Sequence, residues 1–204
     1  QWNTWFERYA FPDESRFNDP AYAELTYTRF AKSLLATPTT RLCAYATNSR
    51  TATETLMKAL AKFGFAGYVG KVNMDRNCAA GLLETTEETI AQTRLWLEET
   101  KDGIGAIYPI LTPRYFPSCT ESCLEQLGKL AEEYHVPVQS HLSEGLDEID
   151  WVHELAPDLD YYAQAYDRAG LLGPHTQAVM AHCVFSTPEE VKTLKTVSYT
   201  HLTL

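Results

Sequence analysis

The sequence predicts an α/β fold in which parallel strands alternate with helices, and two observations lead to this prediction. After Pro38, short apolar segments of strand length alternate with longer amphipathic segments of helical length. The chain has 204 residues, of which 45% are hydrophobic and 22% charged, enough for one domain with a sizeable core. Repeated strand-then-helix units typically build a parallel sheet covered by helices.

The first forty residues are predicted to be helical. The dipeptide Asp19-Pro20 is typical of a helix start, because proline fits the first turn of a helix. Four apolar side chains are predicted to line one face of this helix: Tyr22, Leu25, Phe30 and Leu34. Three aromatic side chains near the beginning of the chain are expected in the core: Trp2, Trp5 and Phe6.

The alternating part of the chain predicts about five strands. These strands span residues 41–47, 67–74, 104–111, 136–140 and 178–182. The predicted helices between and after them span residues 51–63, 85–101 and 120–134, with another starting at 188. Five such units could form either an open doubly wound sheet or an arc of a (β/α)8 barrel, whose full form needs about 250 residues. The sequence contains neither a phosphate-binding glycine fingerprint nor a Walker loop.

Charge and cysteine usage limit the expected partners and location. The formal net charge of −10 disfavours nucleic acids and anionic lipid, because an acidic surface repels phosphate. The five cysteines are odd in number and irregularly spaced, which favours a reduced, cytoplasmic setting over a disulfide framework. No apolar run approaches the ~20 residues of a membrane-spanning helix. The chain opens without Met, and we expect truncation at both ends.

The most informative polar residues follow two successive strands. In parallel sheets, functional side chains gather at the carboxyl ends of the strands. His141 and His182 occupy such positions, and strand ends about 5 Å apart would let two imidazoles share one divalent metal ion. Glu144 lies three residues after His141 and could accept a proton from a water on that metal. The alternative is that each histidine is a hydrogen-bonded structural residue.

Other polar residues near strand ends allow two interpretations. Arg114 could bind a carbonyl or a ring nitrogen with two donors, or it could form a salt bridge with a nearby carboxylate. The predicted strand 67–74 also ends in polar residues, Lys71, Asn73 and Asp75. The pair formed by Cys119 and Cys123 invites a metal or redox interpretation, but without a second cysteine pair ordinary packing is favoured.

Six segments in this order resemble the guanine deaminase family of the amidohydrolase superfamily. They are NTWFERYAFPDESRF (3–17), GYVGKVNMDRN (67–77), ETTEETIAQT (84–93), YPILTPRYFPSC (108–119), QSHLSEGLDEIDWV (139–152) and VMAHCVFSTPEE (179–190). The resemblance extends from Asn3 to about Leu194. Each segment alone would be weak evidence, whereas their order is specific.

The resemblance implies a partial (β/α)8 TIM barrel, one zinc ion, and hydrolysis of guanine to xanthine and ammonia. By position, His141 and His182 match metal ligands and Glu144 matches the catalytic proton shuttle. Arg114 matches the residue that binds the purine, and Tyr115, expected to contact the substrate beside it, stands where the family often has Phe. The family resemblance also implies a homodimer with a free purine base, guanine, as its small-molecule substrate.

The sequence departs from the family pattern in several places. The family's His-x-His pair would precede Gln1, and the Asp that completes the metal site would follow the end of the chain. Residues 36–40 (ATPTT) lack the glycine of the family's corresponding turn. The partial barrel domain is predicted to span 1–195, and residues 196–204 are predicted to be a tail that does not match. With two ligands, the chain alone is expected to bind zinc poorly and to turn over guanine slowly or not at all.

Two other functions fit the same residues. One is a metal-dependent amidohydrolase that acts on another aminated heterocycle, such as a triazine, cytosine or an adenosine derivative. The other is a non-catalytic α/β binding module that retains the fold and uses no metal.

Overall fold

The computed structural model describes residues 5–173, 176–196 and 199–201, and strands alternate with helices over most of this range. Trp2 lies outside the described residues. The amino-terminal region is helical, as predicted: a π-helical turn at Phe6–Ala10 continues into α1 (Phe11–Ser15), and α2 spans Pro20–Leu34. The carboxylate of Asp19 caps α2 by accepting a hydrogen bond from the Ala21 N–H at 2.9 Å, which confirms the predicted start.

The buried face of α2 differs from the prediction. Ala23, Tyr27 and Ala31 are buried, whereas Leu25 and Phe30 are 51% and 40% exposed. Residues four apart share one helix face, and two alanines on that face allow a close approach to the next helix in the chain. Packing distance, rather than the size of the apolar side chains, therefore selects this face.

The strands are more numerous than predicted, and several of them are shorter. They are β1 (Arg41–Tyr45), β2 (Ala66–Gly70), β3 (Val72–Asn73), β4 (Ala106–Pro109), β5 (Thr112–Pro113), β6 (Val138–Leu142), β7 (Ala178–His182) and β8 (Tyr199–His201). The remaining helices are α3 (Arg50–Lys62), α4 (Thr86–Thr100), α5 (Glu121–Tyr134), α6 (Leu146–Leu155), α7 (Ala163–Arg168) and α8 (Pro188–Thr196).

Parallel pairing orders these strands into one succession. Three groups are hydrogen-bonded, in the orders β1-β2-β4, β3-β5 and β6-β7-β8, and every pair within them is parallel. A parallel bridge between Leu111 and Val138 connects the second half of the succession to the first. The predicted strand 67–74 is divided at Lys71. There Gly70 lies so close to Thr112 that a Cβ atom would be 1.7 Å from the threonine Oγ1.

The strands that end the described chain position the site. β6 begins two residues later than predicted and places His141 inside the strand, while β7 has the predicted bounds. β8 lies within the predicted tail and pairs with β7, from Ala178–Tyr199 to Met180–His201. Residues 197–198 and 202–204 of that tail lie outside the described part.

The main core lies between the strands and the helices that cover them. Its largest buried side chains include Trp96, Leu56, Leu60 and Ile107, each at most 2% exposed. Burial of this apolar surface is the main source of stability for such a layer. Among the described residues, no helix combines the length and apolarity needed to cross a bilayer.

Candidate active site

A cavity of about 750 Å³ opens at the carboxyl ends of β6 and β7. All five residues to which the sequence analysis assigned a site role line it: Arg114, Tyr115, His141, Glu144 and His182. These residues lie close together because parallel strands place their carboxyl ends at the same edge of the sheet. The register of β6 and β7 pairs Leu142 with His182, so the two histidine-bearing positions are neighbours.

The imidazole of His141 is held in one tautomer. Its Nδ1 lies 2.6 Å from the carbonyl oxygen of Arg114, and its backbone N–H donates to the same oxygen at 3.3 Å. A carbonyl oxygen only accepts, so Nδ1 carries the proton and Nε2 keeps its lone pair. Burial lowers the pKa of His141 to about 4; the hydrogen bond to the Arg114 carbonyl opposes this shift, and electrostatic interactions with Arg114 and His182 add to it. The ring is therefore neutral at pH 7, as a metal ligand must be.

His182 ends β7 and stacks beside His141. The ring centroids are 5.5 Å apart with an interplanar angle of 19°. The backbone of His182 is left-handed, with φ +74°, and Cys183 follows with φ +53°. Such a conformation costs a non-glycine residue about 1–2 kcal/mol, so the strand end is strained where the imidazole enters the cavity.

The carboxylate of Glu144 faces His182. Its Oε1 lies 3.4 Å from the His182 Nε2, and both side chains are just over one quarter exposed. Burial raises the pKa of Glu144, and the neighbouring His182 partly opposes this shift. A carboxyl group with a raised pKa beside an imidazole is suited to accept and return a proton.

The donor set fits part of a zinc site. Zinc takes imidazole nitrogen and carboxylate oxygen in tetrahedral sites, and the two histidines could supply two of about four ligands. Among the described residues, no group of three or more His, Cys, Asp or Glu side chains is assembled closely enough to hold a metal ion. The chemistry of the two imidazoles therefore fits zinc, and their number is that of an incomplete site.

Arg114 forms the salt bridge that one of its two interpretations predicted, and the ligand-binding interpretation stays a prediction. It lines the cavity, and its Nη1 donates to the Glu14 Oε2 at 2.7 Å. The guanidinium also lies over the rings of Phe6 and Phe11, with its carbon 5.2 and 5.5 Å from their centroids. A guanidinium has five N–H donors, so the ion pair leaves donors for a ligand.

Tyr115 forms the adjoining wall with an aromatic residue that sequence reasoning missed. Its ring lies edge-on to Trp151, with centroids 6.2 Å apart. Burial raises the pKa of Tyr115 to about 12, which keeps the phenol protonated. The flat faces of these rings are chemically suited to a planar heterocycle.

Lys71 and Asn73 point away from the cavity. The Lys71 ammonium donates to Glu84 at 3.0 Å and to Thr89 at 3.3 Å. The amide of Asn73 donates to the hydroxyls of Thr89 and Thr93, at 2.8 and 2.7 Å. Both side chains are fully buried against α4. Their hydrogen bonds therefore stabilise the contact between this part of the sheet and α4.

Asp75 and the two cysteines are also used in packing. Asp75 accepts hydrogen bonds from the Thr120 N–H at 2.7 Å and from the hydroxyls of Thr120 and Thr86. Cys119 and Cys123 are fully buried, and the Cys119 thiol donates to the Asn73 carbonyl at 3.2 Å. The packing interpretation of this cysteine pair agrees with these contacts.

Several cavity residues were misplaced or missed by sequence reasoning. Trp5 lines the cavity and is 54% exposed rather than in the core, whereas Phe6 lines the cavity and also packs against the core cluster around Phe11. Glu148 and Trp151 lie on α6, whose residues Asp147, Trp151 and Glu154 carry a helical spacing that could have indicated a shared face.

Tyr45 is a further residue beside the site. Its ring centroid lies 4.6 Å from that of His141. Its hydroxyl is buried and has no hydrogen-bond partner among the described residues. Burial raises its pKa well above the ordinary value, so the hydroxyl keeps its proton as an unused donor.

Comparisons with known proteins agree with this geometry. The sequence model of the amidohydrolase family matches residues 2–201. The guanine deaminase of Dictyostelium discoideum is 40% identical over 193 residues, which cover 94% of this chain and 42% of that protein. The guanine deaminase of Homo sapiens is 37% identical over 189 residues, which cover 92% of this chain and 41% of that protein. The chain thus spans about two fifths of the length of these curated relatives.

A solved structure gives a close spatial match. The crystal structure of guanine deaminase from C. acetobutylicum, with bound guanine in its active site, superimposes with a TM-score of 0.93 at 41% identity. The superposition covers 97% of this chain and 47% of that chain. The arrangement of strands and helices described above therefore corresponds to about half of that enzyme.

Proposed function

The chain belongs to the amidohydrolase family, and on this premise we propose that the protein acts as a zinc-dependent guanine deaminase, which converts guanine to xanthine and ammonia. One observation carries the proposal: His141, Glu144 and His182 meet in a single cavity that Arg114 and Tyr115 also line. Guanine deaminases at 40% and 37% identity support the choice of substrate.

The proposed architecture is a partial (β/α)8 barrel. Parallel pairing joins β1 to β2, β2 to β4, β3 to β5 and β6 to β7, and helices separate β1 from β2, β3 from β4, β5 from β6 and β6 from β7, as in an arc of such a barrel. The division into a barrel domain at 1–195 and a tail at 196–204 stays a prediction. The family match runs to residue 201 and crosses that boundary.

In this proposal His141, through Nε2, and His182 would hold zinc. Bound zinc would supply a Lewis acid and lower the pKa of a water to about 7. Glu144 would accept a proton from the attacking water and pass it to the departing amine. Its position 3.4 Å from the His182 Nε2 keeps the carboxylate next to the proposed metal ligands.

Arg114 and Tyr115 would orient the purine. The carboxylate of Glu14 binds one end of the Arg114 guanidinium and fixes its orientation. The remaining N–H groups of Arg114 would then donate to acceptors on the purine ring. Tyr115 and Trp151 would contact the planar base. Guanine carries no phosphate, which agrees with the net charge of −10. Cytoplasmic location and a homodimer belong to the same proposal.

A guanine-to-xanthine assay tests the function directly. It compares the chain as given with a chimera in which the Dictyostelium discoideum guanine deaminase supplies the parts of that enzyme outside the aligned 193 residues. We expect the chimera to be active and the chain alone to show at most a small fraction of that activity, because two ligands hold zinc weakly. Full activity of the chain alone would contradict the two-ligand interpretation, and an inactive chimera would contradict the substrate.

Two further measurements separate the alternative functions. Replacing Arg114 by Met should mainly raise KM for guanine, whereas an unchanged KM would indicate another aminated heterocycle. Zinc analysis of the chimera after mild purification, with His141→Ala in the same chimera as the control, addresses the non-catalytic module. Equal zinc content in both proteins would favour that module.

A further inference from the structure

Glu148 is a buried carboxylate on the wall of the cavity and has no role in the proposed chemistry. It lies in the first turn of α6, four residues after Glu144, and is 7% exposed. Its Oε2 accepts a hydrogen bond from the backbone N–H of Glu144 at 2.9 Å, and the N–H of Gly145 also bonds to the carboxylate. The backbone on both sides of the 144–145 peptide is therefore tied to one side chain.

Helix capping explains only part of this arrangement. Gly145 precedes α6 and has no capping side chain, so a glutamate in the first turn that reaches back to its N–H is an ordinary feature of a helix start. Such a glutamate is usually solvated. In Glu148 the other oxygen, Oε1, accepts from the Tyr162 hydroxyl at 3.0 Å inside the protein. The carboxylate thus has fixed partners on both sides.

Two tyrosines four positions apart, Tyr162 directly before α7 and Tyr166 within it, extend these contacts. The Tyr162 hydroxyl accepts from the Phe116 N–H at 3.1 Å, and Phe116 follows the proposed purine-binding residues Arg114 and Tyr115. The Tyr166 hydroxyl donates to the carbonyl oxygen of His141 at 2.9 Å. It also accepts from Ser140 at 2.9 Å. Both tyrosines are at most 2% exposed.

The single proton of each phenol defines the direction of these bonds. The Tyr162 hydroxyl donates its hydrogen bond to the Glu148 carboxylate, and the Tyr166 hydroxyl donates its hydrogen bond to the carbonyl oxygen of His141. The phenol oxygens of Tyr162 and Tyr166 are 3.3 Å apart, so the two side chains also pack against each other. One short helix consequently fixes three backbone segments around the cavity, at Phe116, His141 and Glu144.

We infer that Glu148 is a positioning residue, which with Tyr162 and Tyr166 holds the backbone of Glu144 and His141 in place for the reaction. Glu144 depends on this support because it follows Ser143 in the turn after β6. The backbone of Ser143 is in the left-handed conformation, with φ +49°. A buried network with every member satisfied fixes one geometry, and a displacement of about 1 Å can cost about 100-fold in rate. The inference rests on the proposed function for its catalytic part.

The test combines hydrogen exchange with kinetics in matched variants. Glu148→Ala is compared with Asp75→Ala, which removes another carboxylate that accepts one backbone N–H and side-chain hydroxyls but lies outside the cavity. In the chain as given, Glu148→Ala should speed amide exchange in the peptide covering residues 142–146, and Asp75→Ala should leave that peptide unchanged. Glu148→Gln and Asp75→Asn form a milder pair if truncation unfolds the chain.

In the chimera, Glu148→Ala should lower kcat by about 10- to 100-fold. The KM for guanine and the zinc content should stay unchanged, because the lost bonds end on Glu144, Gly145 and Tyr162 rather than on Arg114, Tyr115 or the imidazoles. Tyr162→Phe should act in the same direction with a smaller effect. The Asp75 variants should retain kcat.

Two results would overturn the inference: unchanged exchange at 142–146 in Glu148→Ala, or a Glu148→Ala chimera with the parent kcat. A parent chimera that does not deaminate guanine would overturn the proposed function alone. The exchange comparison would still decide whether Glu148 holds Glu144.

Discussion

Two groups of polar side chains follow strands at the same end of the molecule, yet only one of them opens into the cavity. The cavity-facing group consists of His141, Glu144 and His182, and the helix-facing group consists of Lys71, Asn73 and Asp75. In the first group, burial lowers the pKa of His141 and raises that of Glu144, and all three side chains line the cavity. The second is bound by threonines and a glutamate on or next to α4 and α5.

The alternation of side chains along a strand explains the difference. Val72 and Met74 turn inward, where Met74 contacts Arg114, so Lys71 and Asn73 must turn outward. In β6 the inward positions are Gln139, which bonds to Ala44 and Thr112, and His141. A polar residue at a strand end is therefore a candidate for chemistry only when its position in the alternation faces inward.

The largest expected effect is on catalysis in the cavity-facing group. Glu144→Gln in the chimera should lower kcat by about 10²- to 10⁴-fold, because an amide cannot accept and return the proton. The unfolding free energy should change by less than about 0.5 kcal/mol, since the change is isosteric. Steady-state kinetics and urea unfolding measure the two quantities. A large loss of stability with little loss of kcat would place Glu144 with the helix-facing group.

The next effect is on stability in the helix-facing group. Glu84→Ala leaves the buried Lys71 ammonium without its carboxylate and should destabilise the chain by about 3–5 kcal/mol. Urea unfolding of the chain checks this value. A matched double variant, Glu84→Ala with Lys71→Met, should recover much of the loss, because a buried apolar side chain needs no partner. No recovery would show that Glu84 has another structural role.

The same pair of variants predicts a pH dependence. Burial lowers the pKa of Lys71 from its ordinary value of 10.5, and Glu84 opposes that shift. A lysine with a lowered folded-state pKa destabilises the fold while it is protonated, and the penalty disappears as pH rises toward 10.5. The difference in unfolding free energy between Glu84→Ala and the double variant should therefore shrink with rising pH. A difference independent of pH would contradict a charged Lys71.

A smaller loss is expected at Asp75. Asp75→Asn should cost about 1–3 kcal/mol, because an amide cannot accept from Thr120 N–H and two hydroxyls as a carboxylate does. Thermal or urea unfolding measures the loss, and kcat of the chimera should be retained. A fall in kcat larger than the loss of folded protein would connect Asp75 to the cavity.

The smallest effect is expected at Thr93. Thr93→Val removes one of two hydroxyls that accept from the buried Asn73 amide and should cost about 1 kcal/mol in unfolding free energy. Thr55→Val, on an exposed helix face, is the control and should be close to neutral. Equal effects at both positions would mean that the Asn73 contact adds nothing specific.

The sequence allowed much of the fold to be predicted because its signals are local. The proline at the start of α2, the capping threonine of α4 and the alternation of strand and helix all depend on neighbouring residues. The division of 67–74 into two strands could not be predicted. It depends on the approach of Gly70 to Thr112, which lies 42 positions further along the chain.

The candidate site was predictable in its polar strand-end residues and not in its support. His141, Glu144 and His182 could be proposed from strand ends, and the family motifs added Arg114 and Tyr115. Glu148 and Tyr162 carry no sequence signal of their own, because a glutamate in a first turn and a tyrosine on a short helix have many ordinary uses. Their importance arises only from contacts between segments.

The left-handed backbone at His182 and Cys183 has a consequence for protein engineering. Glycine adopts positive φ without the steric cost that a side chain incurs, so Cys183→Gly is a rational stabilising substitution. The same change at His182 would relieve the same strain and delete the imidazole. A design procedure that considers only stability would therefore favour glycine at both positions. The substitution at His182 should be excluded from such a design.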